Sequence, residues 1–321
     1  MPAFAADAPH PAPAHSALAG AADASPGPSP LAPRAFGDTG LTVSVLGLGA
    51  GTLGDAQLDE GHVGHLLNEA LDLGITLIDT ARGYGLSEER IGRHLAHRRD
   101  EFVLSTKVGY GVDNHQDWTY GCVAAGVDAA LTRLATDHID IVHLHSCPRA
   151  VLQDGAVIDA LEAAREMGKI RSVAYSGDNE ALDWAVASGR FASVEASINL
   201  CDQRNVDGPL RRADGLGVIA KRPVANAPWR FDQRPAGHYG EVYWDRWRAM
   251  AIDPHGHDWH ALALRFTLSL PGVHSCIVGT TNLDHLRHNA SIAAEGPLPA
   301  HLVDHLRQAF HHADDGWTGQ T

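Results

Sequence analysis

The sequence contains little cysteine, and its four cysteines stand far apart. Cys122, Cys147, Cys201 and Cys276 form no CxxC pair in a chain of 321 residues. Disulfide-stapled folds and zinc ribbons repeat closely spaced cysteines, so neither class of protein is indicated. We therefore expect four small buried side chains in a protein of a reducing compartment.

Basic residues are also fewer than acidic residues. The chain has 25 Lys plus Arg against 39 Asp plus Glu, which gives a formal net charge of -14. Such a charge repels both nucleic-acid phosphates and anionic lipid surfaces. We expect neither a nucleic acid nor a membrane among the partners, but a small-molecule substrate bound by a monomer or weak homo-oligomer.

Long apolar runs are missing, and no stretch approaches the length of a membrane span. Residues 1–33 are rich in Ala, Pro, Ser and Gly, without the basic start and apolar centre of a secretory signal. We predict a disordered tail over 1–33, one folded domain over 34–313 and a short C-terminal tail over 314–321. This pattern favours a cytoplasmic protein.

Short apolar runs alternate with longer amphipathic segments from Leu41 onward. Helix-like segments lie between the runs, and Gly74, Gly168 and Gly189 stand where helix ends are expected. Alternation of buried strand and amphipathic helix is typical of a parallel sheet. Eight units predict an α/β fold of the (β/α)8 TIM-barrel type, a parallel eight-stranded barrel with outer helices. The apolar runs cover residues 43–49, 75–79, 102–107, 139–145, 172–176, 193–199, 217–221 and 275–279.

Nearly every apolar run ends in a polar residue. In a barrel, the carboxyl ends of all strands meet at one face, where active sites are built. The longest stretch without clear periodicity, residues 225–258, is rich in aromatics and is expected to cross this mouth. Its aromatics either line a substrate pocket or pack the segment against the rim, and Trp118 is a second mouth residue.

Four reactive side chains follow the ends of three successive runs: Asp79 and Tyr84, then Lys107, then His145. A phenol ionises near pH 10, and a neighbouring ammonium lowers its pKa toward the working range. Asp79 can hold Lys107 charged, and His145 can bind an oxygen above the phenol. The set is suited to moving a proton on a carbonyl or alcohol oxygen while a hydride moves elsewhere. Each residue also has a structural interpretation, as a helix cap, ion-pair partner or core histidine.

These residues occur in strings that resemble the aldo-keto reductase superfamily over about residues 34–313. The strings are DTARGYGLSEERIG, LSTKVG, DHIDIVHLHSCP, GKIRSVAYSGDN and VHSCIVGTTNLDHLRHN. The resemblance implies a (β/α)8 barrel that uses NADPH, or NADH, to reduce an aldehyde, ketone or sugar to an alcohol, or the reverse. It implies Tyr84 as general acid and base, tuned by Lys107 and Asp79, with His145 orienting the substrate.

The resemblance also assigns residues near the nicotinamide. Ser176 and Asn199 match positions beside the carboxamide, and Glu195 stands where many members have Gln. A carboxylate accepts from the amide NH2 but cannot donate to its carbonyl. Lys221 replaces the Tyr that stacks on the ring, so stacking is lost or comes from Arg222 or Trp229.

The segment GTTNLDHLRHN falls where the family binds the adenosine phosphate. Gly279 and His285 replace the usual Lys and Arg, so the preference for NADPH over NADH is expected to be weaker than usual. Asn289 retains its match and is expected to face the adenine. The donors expected at this helix N-terminus, a natural anion site, belong to Thr280, Thr281 and Asn282.

Two other functions remain open at the level of the sequence. His143 and His145 lie on one side of a strand, as in metal-dependent barrel hydrolases, although the later runs end without further His or Asp ligands. For that reason we expect no metal, and a packed His143 below His145. The other alternative is a barrel that senses the cofactor without turnover.

Overall fold

The computed structural model describes residues 31–254 and 256–320, and most of the predicted N-terminal tail lies outside this range. The described chain begins with a small antiparallel hairpin of β1 (Pro33–Ala35) and β2 (Thr42–Ser44). Leu31 is buried in the core, so residues 31–33 belong to the folded domain rather than to a tail.

Eight parallel strands close into a barrel, as the alternating pattern predicts. Each barrel strand pairs with the barrel strands before and after it in the sequence. The eighth barrel strand also pairs with the first, which closes the barrel. The strands are β3 (Leu46–Gly49), β4 (Leu77–Asp79), β5 (Val103–Val108), β6 (Ile139–His145), β7 (Ile170–Ser176), β8 (Ser193–Ser197), β9 (Gly217–Lys221) and β10 (Ser275–Val278).

Helices surround the barrel and bury their apolar faces against it. Gly74, Gly168 and Gly189 have left-handed φ angles of 82°, 74° and 67° just after helices, as expected of helix ends. The α-helices are α1 (Glu60–Asp72), α2 (Ser87–Leu95), α3 (Tyr120–Arg133), α4 (Arg149–Asp154), α5 (Ala156–Glu166), α6 (Asn179–Ser188), α7 (Arg204–Asp207), α8 (Glu241–Met250), α9 (Trp259–Ser269), α10 (Leu283–Ala294) and α11 (Ala300–Ala313). Short 3-10 helices cover Ala50–Gly54, Ala96–Glu101, Pro209–Arg212 and Pro228–Arg230.

The hairpin closes the floor of the barrel. Phe36, Leu41 and Val43 form one apolar cluster with residues from the amino-terminal ends of the barrel strands, including Leu77 and Ile141. The run 43–49 is therefore two strands rather than one, because its first part pairs with β1 and only its second part enters the barrel. With the floor filled, the open end of the barrel is the mouth at the carboxyl ends of the strands.

The described part of residues 225–258 lies beside the end of β9, where Tyr239 packs against Arg222, and it is not wholly irregular because it contains α8. The aromatic side chains pack on one another: Trp229 stacks on Trp259 at 5.9 Å between ring centroids, and Trp247 meets Trp259 edge-on at 5.4 Å. For these tryptophans the structure favours the packing interpretation, which makes the segment a built part of the rim.

The C-terminal segment packs onto the same rim. Asn179 exchanges two hydrogen bonds with the backbone of Gly319, and the carbonyl of Gln320 accepts from Ser197 and Arg222. The indole of Trp317 packs against Phe310. Described residues 314–320, predicted as a tail, are therefore fixed against the carboxyl ends of β8 and β9.

All four cysteines are free and buried, as expected. Among the described residues, no helix combines the length and apolar character needed to cross a membrane.

Candidate active site

Asp79 ends β4, and the loop that follows carries Tyr84 to the start of α2 at Ser87. Hydrogen bonds fix both ends of this loop: the Thr80 hydroxyl donates to Ser87 Oγ at 2.8 Å, and Ser87 Oγ donates to the carbonyl of Ala50 at 2.9 Å. The backbone at Tyr84 is therefore held against the 3-10 helix that follows β3.

Glycines allow this close approach. A Cβ on Gly54 would lie 1.6 Å from the carbonyl oxygen of Tyr84, and a Cβ on Gly85 would lie 2.4 Å from that of Gly54. Gly85 also has a left-handed φ of 53°.

Residues 49–54, GAGTLG, match the spacing of the glycine-rich dinucleotide fingerprint. They form the end of β3 and a 3-10 helix in a closed barrel, whereas that fingerprint requires an open sheet and an α-helix at this point. In this chain the last glycine of the string, Gly54, makes room for the backbone of Tyr84, whereas a Cβ on Gly51 would meet the Tyr84 ring at an ordinary 3.4 Å.

The Lys107 ammonium lies buried between two carboxylates. It donates to Asp79 Oδ2 in a short hydrogen bond and to the carbonyl of Thr80 at 3.1 Å, and it lies 3.4 Å from Glu195 Oε2. Ser105 completes the support of Asp79 by donating to its Oδ1 at 2.7 Å. Because Glu195 comes from β8, on the other side of the barrel interior from β5, the ammonium joins opposite walls of the barrel.

Two carboxylates around one ammonium leave an excess of negative charge. Burial raises the pKa of Asp79 to about 7, and the negative charge of Glu195 acts in the same direction. Burial opposes ionisation of Glu195 as well, but the ammonium of Lys107 lowers the pKa of Glu195 to about 2. Although burial disfavours its charge, the two carboxylates raise the pKa of Lys107 far above its usual value. Lys107 is therefore charged throughout the physiological range.

Tyr84 is half-buried above this cluster, with Lys107 Nζ 5.3 Å from the centroid of its ring. Burial raises the pKa of Tyr84 to about 12, since the lowering effect of Lys107 is outweighed by burial together with the two carboxylates. The net shift is opposite to the lowering that the sequence suggested. Within residues 31–254 and 256–320, the Tyr84 hydroxyl has no protein hydrogen-bond partner. It is a protonated phenol free to bind an oxygen at the mouth.

The two histidines of β6 lie at different depths. His145, at the mouth, meets the Tyr84 ring edge-on at 5.8 Å between centroids, and its Nδ1 is 2.8 Å from the hydroxyl of Tyr110. His143 is fully buried beneath it, with Nε2 3.1 Å from Ser105 Oγ. Burial lowers the pKa of His145 to about 3 and that of His143 to about 4, so both imidazoles are neutral near pH 7.

Ser176, Glu195 and Asn199 all lie buried at the ends of β7 and β8. Ser176 donates to Glu195 Oε1 at 3.2 Å, and Asn199 Oδ1 accepts from the backbone of Cys201 at 2.9 Å. Glu195 Oε2 is buried without a hydrogen bond, its contact being the ion pair with Lys107. One carboxylate oxygen is thus left to accept from a bound group.

Lys221 and Arg222 follow at the end of β9, where both are committed to protein partners. Lys221 Nζ pairs with Asp178 Oδ2 at 3.0 Å, and the Arg222 guanidinium stacks over the Tyr239 ring at 5.2 Å. Arg222 also donates to Ser197 Oγ at 2.5 Å. Trp229, which the sequence offered as a stacking residue, is instead stacked on Trp259.

A groove of about 760 Å³ runs between this rim and the start of α10. Residues predicted to bind the cofactor form part of its lining, namely Arg222, Gly279, Thr280, His285 and Asn289. The predicted residues outside the lining are the tetrad, Ser176, Glu195, Asn199, Lys221, Thr281 and Asn282. The Asn282 side chain accepts from the backbone N–H groups of Asp284 and His285, so this helix N-terminus is partly satisfied by its own cap.

Asn289 and Thr281 also have protein partners. The side-chain oxygen of Asn289 lies 2.6 Å from His260 Nε2, and the carbonyl of Thr281 lies 2.6 Å from His62 Nε2. Asn289 is buried in the groove wall, whereas His285 is exposed on its rim.

Asp79, His143 and Glu195 each place one ligand atom within 4.8 Å of the other two, a spacing that can hold a metal ion. The Lys107 ammonium, however, contacts both carboxylates of this set. A cation of the protein itself therefore already pairs with both carboxylates, and His145, which the hydrolase alternative combines with His143, is not part of the set.

Sequence reasoning missed two members of this region. Tyr110 was not considered, although it stands between two glycines directly after the strand of Lys107. Asp178 was not considered either, and it is buried with Lys221, the Ser197 backbone and Asn205 as partners. The Gly-Tyr-Gly string was a usable signal for Tyr110 because paired glycines often mark a turn at a site.

Comparison with known proteins finds relatives that cover most of this chain. Among curated relatives, L-galactose dehydrogenase of Arabidopsis thaliana is 26% identical over 82% of this chain and 88% of its own length. D-threo-aldose 1-dehydrogenase of a Pseudomonas species is 28% identical over 84% of this chain and 95% of its own length. An aldo-keto reductase of Bacillus halodurans, solved in its holo form, superposes with a TM-score of 0.77 at 27% identity, covering 87% of this chain and 96% of that one.

The family model named Aldo/keto reductase family matches residues 45–310, which include every strand of the barrel. The match covers far more than half of the chain, and the solved relative has the same closed barrel. The chain belongs to the aldo/keto reductase family of oxidoreductases.

Proposed function

We propose that this protein reduces a carbonyl to an alcohol with NADPH or NADH, or catalyses the reverse reaction, with Tyr84 as general acid and base. The observation that carries the proposal is the arrangement around Lys107: a buried ammonium held by Asp79 and Glu195, lying beneath a phenol whose hydroxyl is unpartnered in the described chain. Neutral His145 faces the same phenol.

The residues at the mouth fit a nicotinamide dinucleotide. Glu195 Oε2, buried and without a hydrogen bond, is a suitable acceptor for the carboxamide NH2, with Ser176 and Asn199 beside it. The groove that leads to the start of α10 is large enough for an extended ligand, and Arg222 supplies a cation in its wall. When bound, the nicotinamide supplies or accepts the hydride.

The side chains of the site manage the proton. In reduction, Tyr84 donates its phenolic proton to the substrate oxygen as that oxygen gains negative charge. The Lys107 ammonium stabilises the phenolate that remains, and Asp79 and Glu195 hold the ammonium in position. His145 offers a hydrogen bond to the same oxygen. In the reverse direction each proton follows the opposite route.

The resting protonation state of Tyr84 is the one from which reduction starts. Because burial raises its pKa to about 12, Tyr84 carries the proton at neutral pH. Oxidation starts from the phenolate, so the same shift moves the onset of oxidation to higher pH, whereas the net direction is set by the concentrations of the reactants.

The substrate class we propose is a small polar carbonyl compound, with aldoses as the first candidates. Two relatives, L-galactose dehydrogenase and D-threo-aldose 1-dehydrogenase, are named for sugars, and two others are named for pyridoxal and methylglyoxal, which are also small polar carbonyl compounds. We propose cytoplasmic action by a monomer or weak homo-oligomer.

The decisive experiment is Tyr84→Phe, assayed on aldehydes, ketones and sugars with both cofactors. We expect turnover to fall by about 1,000-fold while the dissociation constant of the dinucleotide changes less than about twofold, because only the proton donor is removed. Tyr120→Phe removes a hydroxyl from an exposed tyrosine and serves as the control. Undiminished turnover in Tyr84→Phe would refute the assignment.

A further inference from the structure

We propose that Tyr110 is a positioning residue that fixes the tautomer of His145, so that Nε2 carries the proton and can donate a hydrogen bond to the substrate oxygen. The inference rests on the proposed function and adds to it a residue that acts through His145. The observation behind it is the contact of 2.8 Å between the Tyr110 hydroxyl and His145 Nδ1.

The backbone around Tyr110 is shaped to place its ring at this point. Gly109 and Gly111 have left-handed φ angles of 135° and 68°, which most side chains avoid. A Cβ on Gly109 would lie 2.3 Å from the indole of Trp118, which packs against the Tyr110 ring at 5.7 Å between centroids. The ring is thus held from one side by Trp118.

The other side of the hydroxyl faces Gly83. A Cβ on Gly83 would lie 3.1 Å from the Tyr110 oxygen, closer than nearly all Cβ contacts. Because Gly83 directly precedes Tyr84, the hydroxyl of Tyr110 is enclosed between the loop of the proposed acid and the imidazole of His145.

The direction of the hydrogen bond follows from counting donors and acceptors. Tyr110 and His145 are both uncharged near pH 7, since burial keeps the phenol protonated and the imidazole neutral. In the described chain Nδ1 is the acceptor within reach of the Tyr110 hydroxyl, so its proton has a protein partner when Tyr110 donates. A neutral imidazole that accepts at Nδ1 carries its proton on Nε2.

This tautomer is the one that the reaction needs. A carbonyl oxygen can only accept, so a bare Nε2 would face it as a second acceptor and weaken binding. With Nε2 protonated, His145 shares the developing negative charge with Tyr84. No proton leaves His145 in this role, and the proton that is transferred remains that of Tyr84.

The tautomer itself can be measured without cofactor or turnover. In 15N NMR spectra of histidine-labelled protein, the His145 signals are identified by their loss in His145→Ala. We expect wild type to show a protonated Nε2 and an accepting Nδ1, and Tyr110→Phe to show a mixture of both tautomers. An unchanged His145 spectrum in Tyr110→Phe would overturn the proposal.

Kinetics then test whether the tautomer matters. We expect Tyr110→Phe to lower kcat for carbonyl reduction by about tenfold with unchanged dinucleotide affinity, and to have no further effect in a His145→Ala background. Equal losses in both backgrounds would show that Tyr110 does not act through His145. If wild type reduces no carbonyl while the NMR result holds, the proposed function fails and the assigned tautomer stands.

Discussion

At the scale of single residues, the site is governed by an excess of negative charge around one cation. Asp79 and Glu195 share the Lys107 ammonium, so less of its field reaches Tyr84 than a single counterion would allow. Both carboxylates are buried, and the pKa of Asp79 is raised to about 7 by that burial and by its neighbour. The electrostatics therefore keep Tyr84 protonated in the resting protein.

The preference between NADPH and NADH is also expected to depend on a single residue. His285 is exposed on the rim of the groove where a phosphate would need a fixed cation. We expect His285→Arg to tighten binding of NADPH by about tenfold and that of NADH much less, because a guanidinium pairs with the additional phosphate. Titration of both cofactors measures the two dissociation constants.

The control is His301→Arg, on the exposed start of α11. It adds the same charge away from the groove and should change neither dissociation constant. Equal tightening of both cofactors in His285→Arg would show that this position does not contact the extra phosphate.

The sequence predicts the location of a site residue well when that location depends only on where a single strand ends. Lys107 and His145 each close an apolar run, and the structure places both at the mouth. The pairing of Lys107 with Glu195 was not predictable, because it depends on how β5 and β8 face each other across the closed barrel. Glu195 was assigned only a contact with the cofactor for that reason.

At the scale of elements, the loop that carries Tyr84 and the 3-10 helix after β3 form one unit. Their backbones touch through Gly54 and Gly85, without side chains between them. The position of the proposed acid therefore depends on a contact between two βα connections as well as on its own loop.

Gly54→Ala tests this contact. Its Cβ would lie 1.6 Å from the Tyr84 carbonyl, so the loop must move, and we expect kcat to fall by about 100-fold. Gly126→Ala is the matched control, because its Cβ inside α3 would meet Val108 at an ordinary 3.4 Å. Carbonyl-reduction assays and thermal melts measure both effects. Wild-type kcat in Gly54→Ala would mean that the loop position is not set by this contact.

Strands and helices are predicted well from the sequence where a single hydrophobic period dominates the segment. Each of the eight apolar runs overlaps one barrel strand, but the run 43–49 also includes the last two residues of β2. The hydrophobic pattern of this run does not show where β2 ends and β3 begins. The buried positions of the hairpin and those of the barrel strand are both apolar. In residues 225–258, α8 was missed because aromatics and charges interrupt its helical period.

At the scale of the whole molecule, the barrel is closed at its floor and bordered at its mouth by its own C-terminal segment. The backbone of Gln320 binds Ser197, Arg222 and Asp202, and Arg246 donates to the carbonyl of Thr318. The end of the chain thus stabilises the wall from which Arg222 reaches the groove.

Deletion of residues 315–321 removes these contacts together with the packing of Trp317. We expect the melting temperature to fall by about 5 °C and dinucleotide binding to weaken, because Arg222 loses a partner and Phe310 is uncovered. Gln320→Ala keeps the backbone contacts and should resemble wild type. Thermal melts and cofactor titration measure both effects, and wild-type values for the deleted protein would contradict the assigned role of the segment.

The closed floor has a practical consequence for handling this protein. The described chain enters the fold at Leu31, beside the hairpin that fills the floor, and it leaves at Gln320, beside Arg222 on the rim. An affinity tag or surface anchor placed ahead of Leu31 is connected to the fold at the far end from the proposed catalytic groups. The same fusion placed after Gln320 is connected at the rim, beside the wall of the proposed cofactor groove. Immobilised enzyme should therefore be tethered through its amino terminus.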